Sequence, residues 1–253
     1  MNLFVRKKKL CITLSVVLAV LLLLIGACAV YLSDYYRADA QSLAAFAPQN
    51  TVICEISEDG NVTVQPVDRE IKAGFVFYPG GKVEHTAYIP LMKALASEGV
   101  LCILVEMPFR LAVFDVNAAD GIPARFPSVK TWYIGGHSLG GSMAASYLGT
   151  HTENYAGLIL LGAYSTADLS DTALSVLSIY GSEDGVMNRE KYVVNKSNLP
   201  EDCIETVIEG GNHGGFGMYG HQDGDGTATI TPTEQIQRTA AAILSMMEAQ
   251  DED

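Results

Sequence analysis

"WYIGGHSLGGSMAASY", residues 132–147, joins an apolar, β-rich run to a run of small residues with helical character, and a serine stands at the joint. The order around it is Gly136-His137-Ser138-Leu139-Gly140. Where a strand turns directly into a helix, the residues two before and two after the turn approach so closely that side chains there would collide, and both positions are glycine. Such a turn lifts the serine hydroxyl above the end of the strand. It also aims the Leu139 amide and the helix N-terminus at negative charge developing beside the hydroxyl. The bland alternative is a serine that only caps a helix after a tight turn. Context decides between them.

Outward from this stretch the chain alternates apolar runs with amphipathic ones. "AGFVFYPGG" from Ala73 reads as a buried strand, and Tyr88, Leu91, Met92 and Leu95 are spaced along one helix face. "GVLCILVEM" is the next strand, and "AGLILLGAY", "LSVLSIYG" and "CIETVIEGG" follow the serine segment. Continuous apolar strands separated by helices predict an α/β fold, a mostly parallel central sheet flanked by helices. Upstream, "TVICEIS" and "NVTVQPV" flank Glu58-Asp59-Gly60 and predict an antiparallel hairpin at the sheet edge. "EQIQRTAAAILSMMEA" is the body of a last helix, with Thr231 or Thr233 as its cap.

In a parallel sheet the site lies at the carboxyl ends of the strands, and those are the loops that carry partners for the serine. "SIYGSEDGV" places Asp184 just after one buried strand, and "VIEGGNHGGFG" places His213 after the last. Serine, acid, histidine is the chain order of one class of acyl-transfer triad. Glu183 is the rival acid, with a longer side chain than a tight turn needs. The second oxyanion amide is expected from "YPGGKVEHTAY", at Gly81 or Lys82, while the same residues also suit a plain Pro79-Gly80 turn. His137 is expected to pack sideways in the turn, and His85 to be an ordinary loop residue or a pocket wall. His151 reads as a surface or helix-capping residue. Asp223 and Asp225, beside His221 in "YGHQDGDG", allow a calcium reading without the rest of a ligand loop.

The N-terminus is of another kind. "RKKK" at 6–9 precedes "LCITLSVVLAVLLLLIGACAVYL", residues 10–32, which has no charge and is long enough to cross a bilayer. Basic residues before the span favour a cytoplasmic N-terminus, with everything from Ser33 on the far side of the membrane. An uncleaved signal anchor is the favoured reading. A signal peptide cleaved after Ala27-Cys28-Ala29 and lipid attachment at Cys28 within "IGAC" are the others. The expected organisation is a basic cytoplasmic 1–9, a transmembrane 10–32, a juxtamembrane helix within 33–50 ending near Pro48, and a single domain over 51–253. Four of the 16 Lys/Arg lie at 6–9, so the remainder sets 12 against all 29 Asp/Glu, a balance that disfavours nucleic acid and anionic lipid head groups as partners. Cys54, Cys102 and Cys203 are spaced neither as a disulfide framework nor as a zinc site and are expected to be buried, inert thiols.

Taken with "DYYRADA", "FVFYPGGKVEHTAYIPL" and "EMPFRLAVFDVNAAD", these motifs resemble the α/β-hydrolase superfamily, and more narrowly a group of membrane-anchored bacterial hydrolases of the dienelactone-hydrolase-like kind. The resemblance spans nearly the whole chain from Ser33. It implies an α/β-hydrolase fold, a Ser138-Asp184-His213 triad, and neither a metal nor an organic cofactor. The reaction expected is hydrolysis of an ester or thioester of a small molecule. An acyltransferase with the same acyl-enzyme, or a non-catalytic membrane-tethered binding module, are the alternatives. Only 45 residues separate Ser138 from Asp184, too few for a large lid. The stretch 108–128 reads either as a partial roof carrying Phe109 and Phe114 or as a core-packing helix and loop.

Overall fold

The computed structural model describes residues 2–45 and 51–251. Two compact units are present, Met1–Tyr35 and Tyr36–Asp253. The first is a helix, α1 (Asn2–Ser33), of which Lys7–Ser33 is long and apolar enough to cross a membrane. Signal anchors and signal sequences share that length and composition.

The second unit is built on an eight-stranded sheet: β1 (Val52–Ile56), β2 (Val62–Pro66), β3 (Ala73–Tyr78), β4 (Val100–Leu104), β5 (Trp132–His137), β6 (Gly157–Leu161), β7 (Ser175–Gly181) and β8 (Ile204–Ile208). Their spatial order is β1-β2-β4-β3-β5-β6-β7-β8. β1 and β2 form the expected antiparallel hairpin, β2 pairs antiparallel with β4, and all pairings from β4 to β8 are parallel. The chain runs from β3 out to β4 and returns past β3 to β5, so the strand order reverses between β3 and β5. Such a reversal opens a crevice at the carboxyl ends of those two strands.

Alternation along β3 shows how the layers are made. Phe75 and Phe77 face one apolar cluster, which includes Tyr88, Leu91, Met92 and Leu95 on α3 (Ile89–Ala96) and its approach turn. Val76 and Tyr78 face the other, with Ile134, Ala144, Ala145 and Leu148. Successive strand side chains point to opposite faces, so a strand covered on both must be apolar throughout. All six β3 residues are accordingly buried. The helices α2 (Ala40–Ala45), α4 (Ile122–Arg125), α5 (Leu139–Leu148), α6 (Arg189–Asn195) and α7 (Pro232–Asp251) complete the fold. Of the two candidate caps for α7, Thr231 is used: its Oγ1 accepts the Glu234 amide at 3.2 Å.

Two expectations are corrected. The stretch after α1 is not one helix toward Pro48: Tyr36 runs extended and bridges Val83 in parallel, with Tyr36 N–H to Lys82 O at 2.8 Å and Glu84 N–H to Tyr36 O at 2.8 Å. Those main-chain partners come from a loop distant in sequence, and helix remains only at α2. Pro48 lies outside the described residues. Cys54 is exposed, because β1 is an edge strand with little covering it, and only Cys102 of the three thiols is fully buried. Burial pushes the Cys102 thiol far above its ordinary range.

Candidate active site

β5 ends at His137, and Ser138 follows with φ 53° and ψ −122°, outside the regions an L-residue adopts at ease. The backbone is pinned there from two sides. Ser138 N–H donates to Leu161 O at 2.9 Å, and Ser138 O accepts from Ser142 N–H at 3.1 Å, which closes the first turn of α5. The flanking glycines are required: a Cβ at Gly136 would collide with the Tyr78 carbonyl and the Gly140 backbone, and one at Gly140 with the carbonyls of Tyr78 and Pro79. Ser138 makes no side-chain capping bond to α5, so capping does not explain the residue.

Leu161, which holds the Ser138 amide, leads to Gly162, and there the downstream loops arrive. A Cβ on Gly162, itself at φ 53°, would come within 2.9 Å of His213 Nδ1 and 3.1 Å of Asp184 Oδ2. His213 Nδ1 and Asp184 Oδ2 are 2.8 Å apart, and both side chains are buried. An ionised carboxylate only accepts, so Nδ1 donates and the lone pair of a neutral imidazole lies on Nε2. Among the described residues, Nε2 makes no hydrogen bond, to Ser138 Oγ or otherwise. The other carboxylate oxygen of Asp184 accepts the amides of Val186 at 2.9 Å and Met187 at 2.8 Å. Burial pushes the Asp184 carboxyl up, but the His213 bond and charge and the two amides outweigh it and hold it below the usual carboxylate range. Glu183 is exposed and bonded to Ser182 Oγ.

His137 packs its ring 4.4 Å from that of His213. The Gly80 amide donates to Tyr88 Oη at 3.1 Å, so the hydroxyl proton is left to donate to His137 Nδ1 at 2.8 Å. Burial, and then the neighbouring His213, hold the His137 pKa well below the ordinary histidine value, so this ring stays neutral beside the pair. A Cβ on Gly80 would fall 2.7 Å from both His137 Nδ1 and Tyr88 Oη.

Of the two amides considered opposite Leu139, that of Lys82 is occupied, donating to Arg110 O at 2.8 Å. Gly81 lies against Leu139: a Cβ there would come 2.9 Å from Leu139 Cδ2. The loop after β3 and the first turn of α5 therefore meet across the crevice.

Sequence reasoning offered Asp225 only for a calcium reading and missed its part in holding the site. Its Oδ1 accepts the amides of Gly185 at 3.1 Å, His213 at 3.1 Å and Gly226 at 2.9 Å, and Oδ2 accepts that of Gly214 at 2.8 Å. One carboxylate thus ties the loop of Asp184 to the loop of His213. Gln235, buried at the start of α7, adds a two-way bond to Asn212, accepting its N–H at 3.0 Å and donating to its carbonyl at 2.7 Å. The Asp225 oxygens that a calcium reading would use accept these four main-chain amides. Among the described residues no group of three or more His, Cys, Asp or Glu is gathered for a metal. His85 Nε2 lies 3.1 Å from the Gly60 carbonyl in the hairpin turn, and His151 stacks on Tyr147 at the end of α5, centroids 4.2 Å apart.

A parallel sheet with a strained serine at the strand-helix joint and an acid-histidine pair on the following loops is the architecture of the α/β-hydrolases. Residues 74–237 match the Alpha/beta hydrolase family, and the chain belongs to it. No curated protein matches the sequence. Among solved structures the chain is similar to a predicted CIB-like hydrolase from Thermoplasma acidophilum, at 14% identity and TM-score 0.54, over 77% of this chain and 98% of that one. It is also similar to TT1662 from Thermus thermophilus, at 16% identity and TM-score 0.53, over 78% and 98%. At these identities the likeness is one of fold.

Proposed function

We propose that the protein is a serine hydrolase of small esters or thioesters, of the membrane-anchored, dienelactone-hydrolase-like kind, with its domain held at the extracytoplasmic face by α1. His213, oriented by Asp184, takes the Ser138 proton at Nε2. The serine oxygen attacks the carbonyl carbon, and the Gly81 and Leu139 amides hold the oxyanion. Collapse expels the alcohol or thiol with the proton from His213, and a water activated by the same nitrogen frees the acid. The observation that carries this reading is a serine kept in a costly conformation, without a capping bond, whose amide is held by Leu161 one residue before the Gly162 against which the buried His213–Asp184 pair packs. Strain of this kind persists only where surrounding structure enforces it, and it gathers at working sites.

The test is covalent labelling of the full chain in lipid nanodiscs with a fluorophosphonate. Wild type takes up the probe, while Ser138→Ala and His213→Ala, both folded by circular dichroism, do not. Labelling that survives in Ser138→Ala, or none in folded wild type, sinks the reading.

A further inference from the structure

We propose that Phe109 and Phe114 form a binding surface for an apolar chain of the substrate, making the enzyme selective for esters with aliphatic groups longer than acetyl or methyl. The proposal rests on the hydrolase reading above and adds the substrate class. It starts from a surface that water disfavours. Phe109 is 60% exposed and Phe114 59%, their rings meet edge to face at 5.7 Å, and Val113 between them is 48% exposed. The two touching rings, with Val113 preceding Phe114 on the same turn, gather exposed apolar surface of the kind that takes a ligand.

The patch stands on a built support. Phe109 has φ 53° and Arg110 φ 60°, consecutive left-handed residues without a glycine. Tyr78, at the end of β3, donates its hydroxyl to Val116 O at 2.8 Å and accepts the Ala119 amide at 2.8 Å, so the strand fixes the segment from beneath. Ala112, between the two phenylalanines in sequence, is buried. The rings are thus held outward by an anchored backbone.

Location supplies the occupant. The Arg110 carbonyl binds the Lys82 amide, one residue from Gly81, and Leu111 Cδ2 lies 3.6 Å from where a Gly81 Cβ would be. The turn Ala112–Phe114 lies against α5, whose first amide belongs to Leu139. Both proposed oxyanion donors therefore border the segment that carries the rings. A chain leaving a carbonyl held by those amides toward this segment would be laid on the aromatic pair, and each methylene laid there leaves water.

Two ester series separate the acyl from the alcohol side: methyl acetate to methyl hexanoate, and methyl acetate to hexyl acetate, followed by acid release with the full chain in nanodiscs. In wild type, kcat/KM rises along one series. In Phe109→Ala/Phe114→Ala the long-to-short ratio of that series falls about tenfold, through KM more than kcat, and Phe109→Leu/Phe114→Leu restores most of it. Because both rings are exposed, the unfolding midpoint of each double variant stays near that of wild type. Length profiles that are flat in wild type, or unchanged in the alanine variant, overturn this proposal while fluorophosphonate labelling leaves the hydrolase reading standing. Absence of labelling overturns both.

Discussion

Among the described residues, three turns hold non-glycine residues at positive φ, at Ser138, at Phe109 and Arg110, and at Lys82, and the first two are enforced in different ways. At Ser138 the main chain does the work: strand pairing on one side, helix closure on the other, and carbonyls of the adjacent loop filling the space where side chains at Gly136 and Gly140 would stand. At Phe109 and Arg110 the enforcement comes from a few separable bonds, the Arg110 carbonyl to Lys82 and the Tyr78 hydroxyl beneath the segment. The first turn is part of the fold's framework. The second is a surface device that can vary without the framework noticing.

The largest expected difference follows directly. In Gly140→Ala the new methyl meets two carbonyl oxygens that belong to the end of β3 and the residue after it, so the loop, the strand end or α5 must move. We expect a loss on the order of 4 kcal/mol, in the range of severe core defects. Phe109→Ala removes an exposed ring and is expected to shift stability by less than about 0.5 kcal/mol. Urea unfolding of the two variants tests this, and comparable losses in both would erase the distinction between the turns.

A second contrast concerns charge. The Ser138 turn contains no titrating group besides the buried, neutral His137, whereas the pair downstream is held by a carboxylate. Asp184 has its folded pKa lowered, so its contribution to stability is present above the unfolded carboxylate value of about 3.9 and is lost as pH falls through the lower, folded value. Acid titration of stability is therefore expected to fall less steeply below about pH 4 in Asp184→Asn than in wild type. Equal slopes would place the acid sensitivity elsewhere, for instance at Glu205, whose pKa is also lowered.

The difference between the turns also explains what could be read from the sequence. A turn enforced by backbone contact leaves its signature in glycines, so the Ser138 joint is visible in "GGHSLGG" without any structure. The strands were legible for a similar reason, since burial on both faces demands unbroken apolar runs. Asp184 and His213 follow from chain order and from the rule that such loops leave one sheet edge. What escaped were features held by bonds between distant loops. Asp225 works through four main-chain amides, and an amide looks the same in every residue. Tyr36 pairs with Val83, 47 residues further along the chain. The left-handed pair at 109 and 110 carries no glycine to announce it.

The smallest predicted effect tests the strain itself. Replacing Ser138 by glycine removes the penalty of φ 53° with ψ −122°, a combination beyond even the small left-handed helical region. Phe109, at φ 53° and ψ 19°, lies close to that region, so its penalty is smaller. A sparsely populated conformation costs about 1–3 kcal/mol, and glycine gives back roughly 0.5–1 kcal/mol through its freer unfolded state. Ser138→Gly is therefore expected to gain about 1 kcal/mol while losing fluorophosphonate labelling, and Phe109→Gly to come out near zero. The unfolding free energies decide it. A Ser138→Gly protein less stable than wild type would mean that the hydroxyl, not the backbone around it, stabilises the turn, and the argument that the serine is held there at a cost would fall with it.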